Sequence, residues 1–385
     1  MRDLIIGLTR PMLRLLGRDD RGAVGLIVAI FLGGGVLLGM GALVVDVGQI
    51  YQNRAELQNG ADAGALAVAK SCALGGCDPA LAIGQATANA SALTGHQAGV
   101  QLVCGSDPLD GCGFGSDRPY TNGITDCAPN PAEGTNYVDV RTMTRTPTGS
   151  LLPPVFARAL VGGRNYQGTT VYACAQAQWG APASESTVAF TVSACAWSGA
   201  TGDGAVYASL PNPPVYADQQ IILHAGSGLH GSIPAEDRNC LSGPAHSSAP
   251  GEFGWIRDQS GTCQVQIGGQ YTGKPGASAT NACKDALHQA WLSRTPVYVP
   301  VYSSVQGQGR YTSYTLLGFA AFVITGYQVP GAQASDWLDP GKLCSPSQVC
   351  IDGFFTRALI STGSLASQNE SETANLGVEV IKLTG

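Results

Sequence analysis

Charge is scarce in this sequence. Asp, Glu, Lys and Arg make up 12% of its 385 residues, about half the usual share of roughly 25%. Lysine is scarcer still, with five Lys against sixteen Arg. The body is mildly acidic with scattered Arg, which argues against nucleic-acid binding, because that needs a clustered basic face. No cysteine precedes Cys72, and no C-x-x-C occurs. The closest pairs, Cys72/Cys77, Cys344/Cys350 and Cys104/Cys112, have no nearby His to complete a tetrahedral metal site. No G-x-S-x-G elbow is present. In "GGQYTGKPG", around Lys274, Pro275 stands where a phosphate loop requires Ser or Thr. Disorder is excluded too, because hydrophobic residues reach 44%, enough to fill a core.

What the chain does have is length for about two domains, 52 Gly, and one long apolar run near its start. Ala23 to Val45, "AVGLIVAIFLGGGVLLGMGALVV", carries no charge. As a helix it would measure about 34 Å, enough to cross a bilayer core of about 30 Å. Five Arg (Arg2, Arg10, Arg14, Arg18, Arg21) precede the run against three Asp. The positive-inside rule therefore keeps this arm in the cytoplasm and exports the rest. A cleaved signal peptide would have a shorter apolar core ending at a small-residue site, whereas this run ends in "VVDVGQIY" with no A-x-A in reach. The expectation is an uncleaved, single-pass anchor in the cytoplasmic membrane. Within it, Gly35 and Gly39 have G-x-x-x-G spacing, which lets helix backbones approach closely in lipid and suits self-association.

Twelve cysteines lie beyond this segment: Cys72, Cys77, Cys104, Cys112, Cys127, Cys174, Cys195, Cys240, Cys263, Cys283, Cys344 and Cys350. An even count on one side of a membrane segment points to disulfides in an oxidising compartment. Spacing leaves their connectivity open.

Beyond the apolar run the helical pattern continues. Val47, Ile50, Leu57, Ala61, Gly64 and Val68 recur at three- and four-residue steps, with Arg54 taking one place. The stripe becomes mostly Ala and Gly, so it must pack closely against something flat, either the protein's own sheet or a neighbouring subunit. Ile50, Leu57 and Ala61 join Gly35 and Gly39 as candidate helix-packing residues.

The stretch from Arg21 to Ala69 closely resembles the N-terminal domain of the TadE/TadG-like proteins of Flp (tight-adherence) pilus assembly. Arg21-Gly22, "VVDVGQIY" (Val44 to Tyr51) and "LQNGADAGALA" (Leu57 to Ala67) carry the match. "SACAW" (Ser193 to Trp197), "APGEFGWI" (Ala249 to Ile256) and "LLGFAAFVITGY" (Leu316 to Tyr327) are similar to elements of TadG-related proteins. The resemblance implies a membrane protein of pilus assembly whose partners are the membrane and other assembly proteins or pilins. It brings no catalytic residues and no cofactor. Ile27 stands where processed pilins carry Glu, which speaks against processing, and no D-x-S-x-S metal string occurs.

The exported part reads as α+β. Ala80–Leu93 suggests a helix, and Cys104–Asn136 is loop-like. Asn136–Thr146 and "TTVYACAQAQW" alternate as strands do, around a short helix at "LLPPVFARALVG". After a linker at Gly180–Ser186, strand signals dominate: "TVAFTVSACAW", "QQIILHA", "CQVQI", "TPVYVPVY" and "YTLLGFAAFVITGYQV", with one helix at Asn281–Trp291. The last strand's apolar core, Leu316–Ile324, is too short to be a membrane helix. The expected order is a basic arm (1–22), a transmembrane helix (23–45), an amphipathic helix with a small α+β head (46–180), and a mainly β, disulfide-rich domain (181–385), built as a sandwich or a mixed sheet.

A tethered hydrolase or ligand-binding protein is the rival reading. It would need convergent titratable groups. The sequence offers Ser227 between His224 and His230, with His246 further on, at spacings that match no compact site.

Overall fold

The computed structural model describes residues 21–33, 36–93, 98–112, 127–145, 169–182, 186–208, 220–225, 252–257, 261–266, 271–272, 279–306, 313–341, 343–344, 348–360 and 374–384. Three helices lead: α1 (Arg21–Gly33), α2 (Val36–Ala73) and α3 (Pro79–Leu93). Then come β1 (Ala98–Gly105), β2 (Asn136–Thr144), β3 (Tyr172–Gly180), β4 (Ser186–Val188), β5 (Phe190–Ser193) and helix α4 (Ala194–Thr201). Strands β6 (Ile221–His224), β7 (Phe253–Trp255), β8 (Gln264–Gln266) and β9 (Tyr271–Thr272) precede helix α5 (Asn281–Ser293). The chain continues through β10 (Val297–Gln306), β11 (Ser313–Val329), β12 (Ala332–Ala334), β13 (Cys350–Thr356), β14 (Ala358–Ile360) and β15 (Val378–Leu383).

Two large sheets organise most of these elements, and β4 pairs antiparallel with β8 in a separate two-stranded sheet. The first has the order β1-β2-β3-β15-β14 and is covered on one face by α2, with α3 packed on α2. The second runs β6-β13-β11-β10-β5-β7, with β9 and β12 also paired to β11. It is mixed: β5 pairs β10 in parallel and the other pairs are antiparallel. Strand β11 follows from its composition, since a long β-branched and aromatic run buried on both faces suits a central strand. Phe190, Phe253 and Trp255 meet edge to face in its core, with centroids 6.0–6.3 Å apart. Leu287 and Ala290 of α5 are buried in the same core.

The last two strands return to the first sheet. β15 pairs antiparallel with β3 and parallel with β14, so residues that the sequence groups with the second body complete the N-terminal sheet. β15 serves both layers by alternation: Val378 and Val380 join the core of the second sheet, while Ile381 packs on the helical side.

Two local expectations change. "TVAFTVSACAW" is not one strand, because Ser193 ends β5 and caps α4, its hydroxyl accepting from Ala196 N at 3.0 Å. Gly202, in the left-handed region at φ 57°, stops that helix. The loop reading that begins at Cys104 cuts into β1, whose pairing with β2 is tertiary information. The helix expected at "LLPPVFARALVG" lies outside the described residues.

Residues 34 and 35 of the apolar N-terminal run lie outside the described residues. α1 holds its first part, and α2 carries the rest before turning amphipathic. Among the described residues, no helix is long and apolar enough to cross a membrane.

Candidate functional site

The element that singles this chain out is the N-terminal helical stretch. Its residues fall into two groups along α2. From Leu57 onward, one face is spent inside the protein. Leu57, Ala61, Ala65, Val68 and Ala69 are buried, as are Ala82, Ala86 and Ala90 of α3 and Val138, Val140, Ala175, Ala177 and Trp179 of the sheet. Small side chains set the spacing here. A Cβ on Gly64 would stand 3.2 Å from Val140 Cγ1 and 3.3 Å from the Ala86 carbonyl oxygen, so glycine lets α2 settle on both neighbours. Polar bonds fix the register: Thr142 Oγ1 donates to Leu57 O at 3.0 Å, and Gln58 Nε2 to Cys174 O at 2.8 Å. The amphipathic stripe thus meets the protein's own sheet and α3. Ile50 is half-buried beside Leu57.

Before Ile50 the picture reverses. Val24, Leu26, Ile27, Val28, Ile30, Phe31 and Leu32 of α1 are exposed, as are Met40, Leu43, Val44, Val45 and Val47 of α2. Leu26 is 65% exposed and Val44 71%. Exposed apolar surface of this kind marks an interaction site for lipid or protein. Gly39 lies in this part of α2, and Gly35 lies outside the described residues. Asp46, at the change from apolar to amphipathic sequence, is buried.

Residues 22–71 match the family model described as putative Flp pilus-assembly TadE/G-like. The helical N-terminal stretch is TadE/G-like. The match runs from the start of α1 almost to the end of α2 and supports a pilus-assembly role. Neither the curated proteins nor the solved structures include a match to this chain. The TadE/G-like segment thus comprises both the exposed apolar surface and the small-residue face that docks on the first sheet. "SACAW", "APGEFGWI" and "LLGFAAFVITGY" lie outside the matched residues.

The β body attached to the TadE/G-like segment is cross-linked. Disulfides join Cys72 to Cys77, Cys104 to Cys112, Cys127 to Cys174, Cys263 to Cys283 and Cys344 to Cys350. Cys195 is also disulfide-bonded, and Cys240 lies outside the described residues. The longest of these loops, Cys127–Cys174 at a separation of 47, gains most from cross-linking in the chain-entropy account. Cys104, Cys112 and Asp139 bring ligand-type atoms within 4.8 Å of one another, but both sulfurs are engaged in the disulfide and offer no thiolate.

His224 ends β6, where its backbone N–H donates to Glu252 Oε2 at 2.9 Å and its Nδ1 lies 3.3 Å from the same oxygen. Glu252 N in turn donates to His224 O at 2.9 Å, so the pair ties β6 to the start of β7. Ser227, His230, His246 and Lys274 lie outside the described residues. Sequence reasoning missed a cluster formed by Gly75, Tyr207, Arg357 and Glu379. Only the "LGGC" turn hinted at it, since the other members lie far away in the chain.

Proposed function

We propose that this protein is a membrane-anchored component of a Flp/Tad-type pilus assembly system and works by association rather than catalysis. The match of residues 22–71 to the TadE/G-like family carries the reading. The exposed apolar side chains among Val24–Leu32 of α1 and Met40–Val47 of α2 support it, because such a surface calls for lipid or a partner helix. In this reading the segment from Ala23 to Val45 is a single-pass anchor in the cytoplasmic membrane. The basic arm stays inside and the disulfide-bonded body faces outward. Its partners are other assembly proteins or pilins, with self-association through the anchor around Gly35 and Gly39. Leu57 and Ala61 serve the internal packing of α2, so partner binding falls to the residues before them and to the outward face.

A clean deletion in the native host, examined by electron microscopy and complemented with the gene, tests the role. Loss of surface pili with rescue on complementation is expected. Normal pili in the deletion strain would end the claim of an essential assembly role.

A further inference from the structure

Four separate segments meet where the chain leaves the second sheet for the first. β13 ends at Thr356 and β14 begins at Ala358, so Arg357 alone makes the crossing. Its Cζ stands 4.7 Å from the centroid of the Tyr207 ring, a cation over a π face. Its Nη2 lies 3.5 Å from the Gly204 carbonyl oxygen. On another side rests the turn between α2 and α3. Gly75 there has φ +83°, and a Cβ on it would stand 2.8 Å from Arg357 Cζ and 2.9 Å from Nη1. Glycine thus serves both the left-handed backbone and the close approach of the guanidinium. The Cys72–Cys77 bond closes this turn, and Gly76 N donates to Ser71 O at 2.8 Å, so it forms a defined seat.

The fourth segment brings an acid. Gly377, at φ +97°, lies against Tyr207, and Trp197 Nε1 donates to Leu376 O at 3.2 Å. Two residues on, Glu379 is 4% exposed. Its Oε1 accepts from Asn375 Nδ2, while Oε2 has no hydrogen-bond partner among the described residues. An ionised carboxylate so placed is costly. Burial raises its pKa from 4.5 to about 7, opposed by the Asn375 bond and by the charge of Arg357. Tyr207, the other titratable group of the cluster, is pushed up by burial and stays neutral across this range. The cysteines of the α2–α3 turn are paired and do not titrate. The β3 positions opposite Val380 and Ile381 are Gly180 and Trp179, and Leu359 of β14 is the register partner of Glu379, so neither strand adds an ionisable group there.

Arg357 precedes Ala358, the register partner of Val378, so it lies close to Glu379 along the strand pair, and two sets of groups compete for its charge. One is the ring of Tyr207, the carbonyl of Gly204 and the Gly75 turn. The other is the half-satisfied carboxylate of Glu379. We infer that Arg357 is a two-position clasp: it sits on Tyr207 and the Gly75 turn while Glu379 is protonated, and it is drawn to the Glu379 carboxylate when that group ionises. Because the Gly75 turn ends the TadE/G-like helix, the clasp links the protonation of one buried acid to the hold of the β body on that helix. The coupling is reciprocal, so each unit by which the move shifts the Glu379 pKa changes the clasp equilibrium about tenfold.

Hydrogen exchange of the full chain in detergent micelles tests this, reading the amides of residues 71–77 at about pH 6 and about pH 8, each normalised to its intrinsic rate. Wild type should lose protection about tenfold at the higher pH, a shift of about one pKa unit. Glu379→Gln should keep the turn protected at both values. Equal normalised protection in wild type, or a pH-dependent loss that survives in Glu379→Gln, would overturn the clasp. A second measurement on wild type alone keeps the question decidable if the variant misfolds. The Glu379 carboxyl carbon and the Arg357 Nε resonance, followed by NMR, should titrate with one shared midpoint. An Arg357 signal that stays put while Glu379 titrates would equally refute it.

Discussion

Replacing Glu379 by Gln should make the folded protein's stability less dependent on pH. The carboxyl is buried, and its pKa rises from 4.5 to about 7, chiefly through burial. A group whose folded pKa is raised binds its proton more tightly in the folded state. Its contribution to stability is therefore complete below the unfolded value of 4.5 and is lost as pH rises through about 7. A rise of that size corresponds to at most about 3 kcal/mol. Glutamine has the shape of the protonated acid and can keep the hydrogen bond with Asn375, so it does not incur this loss. Urea denaturation of wild type and Glu379→Gln at a series of pH values reads the effect directly. The two should be nearly equal at about pH 4.5, with the variant more stable by about 2–3 kcal/mol at about pH 8. A stability difference that is constant across the series would refute the reasoning, because a pH-independent change cannot come from the ionisation of this group.

Two further outcomes follow from the packing and from the apolar surface. Gly64→Val should destabilise the protein by about 1–3 kcal/mol, since the added atoms press on Val140 and on the Ala86 backbone, which limits how far α3 can yield. Thermal unfolding checks this, and an unchanged midpoint would show that the α2–α3 contact is looser than its geometry. Gly35→Leu combined with Gly39→Leu should weaken crosslinking to membrane partners while leaving membrane insertion unchanged; unaltered crosslinking would dispose of helix pairing at this site.

Much of the helical and strand content was legible because its periodicity is local. The Asn281 helix, the β11 run and the alternation in β2 and β3 each announce themselves within their own residues. Ser193 shows where that legibility ends. Strand-like residues precede it, and its change of direction depends on one side chain bonding Ala196 N. β1 escaped notice because its pairing with β2 crosses a loop. The Arg357–Glu379 cluster could not have been found by motif, since its members are separated by most of the chain.

By itself the sequence determined the apolar run, the TadE/G-like helix and the cross-linked character of the body. Hydropathy, helical period and cysteine count are properties of composition and spacing, and they need no knowledge of neighbours. The tertiary structure decided which cysteines pair and where the small-residue stripe goes, namely onto α3 and the first sheet rather than a second subunit. It also decided that β15 closes the N-terminal sheet. The physical reason is common to all three: pairing, docking and strand order are contacts between residues distant in the chain, set by packing that no local pattern encodes.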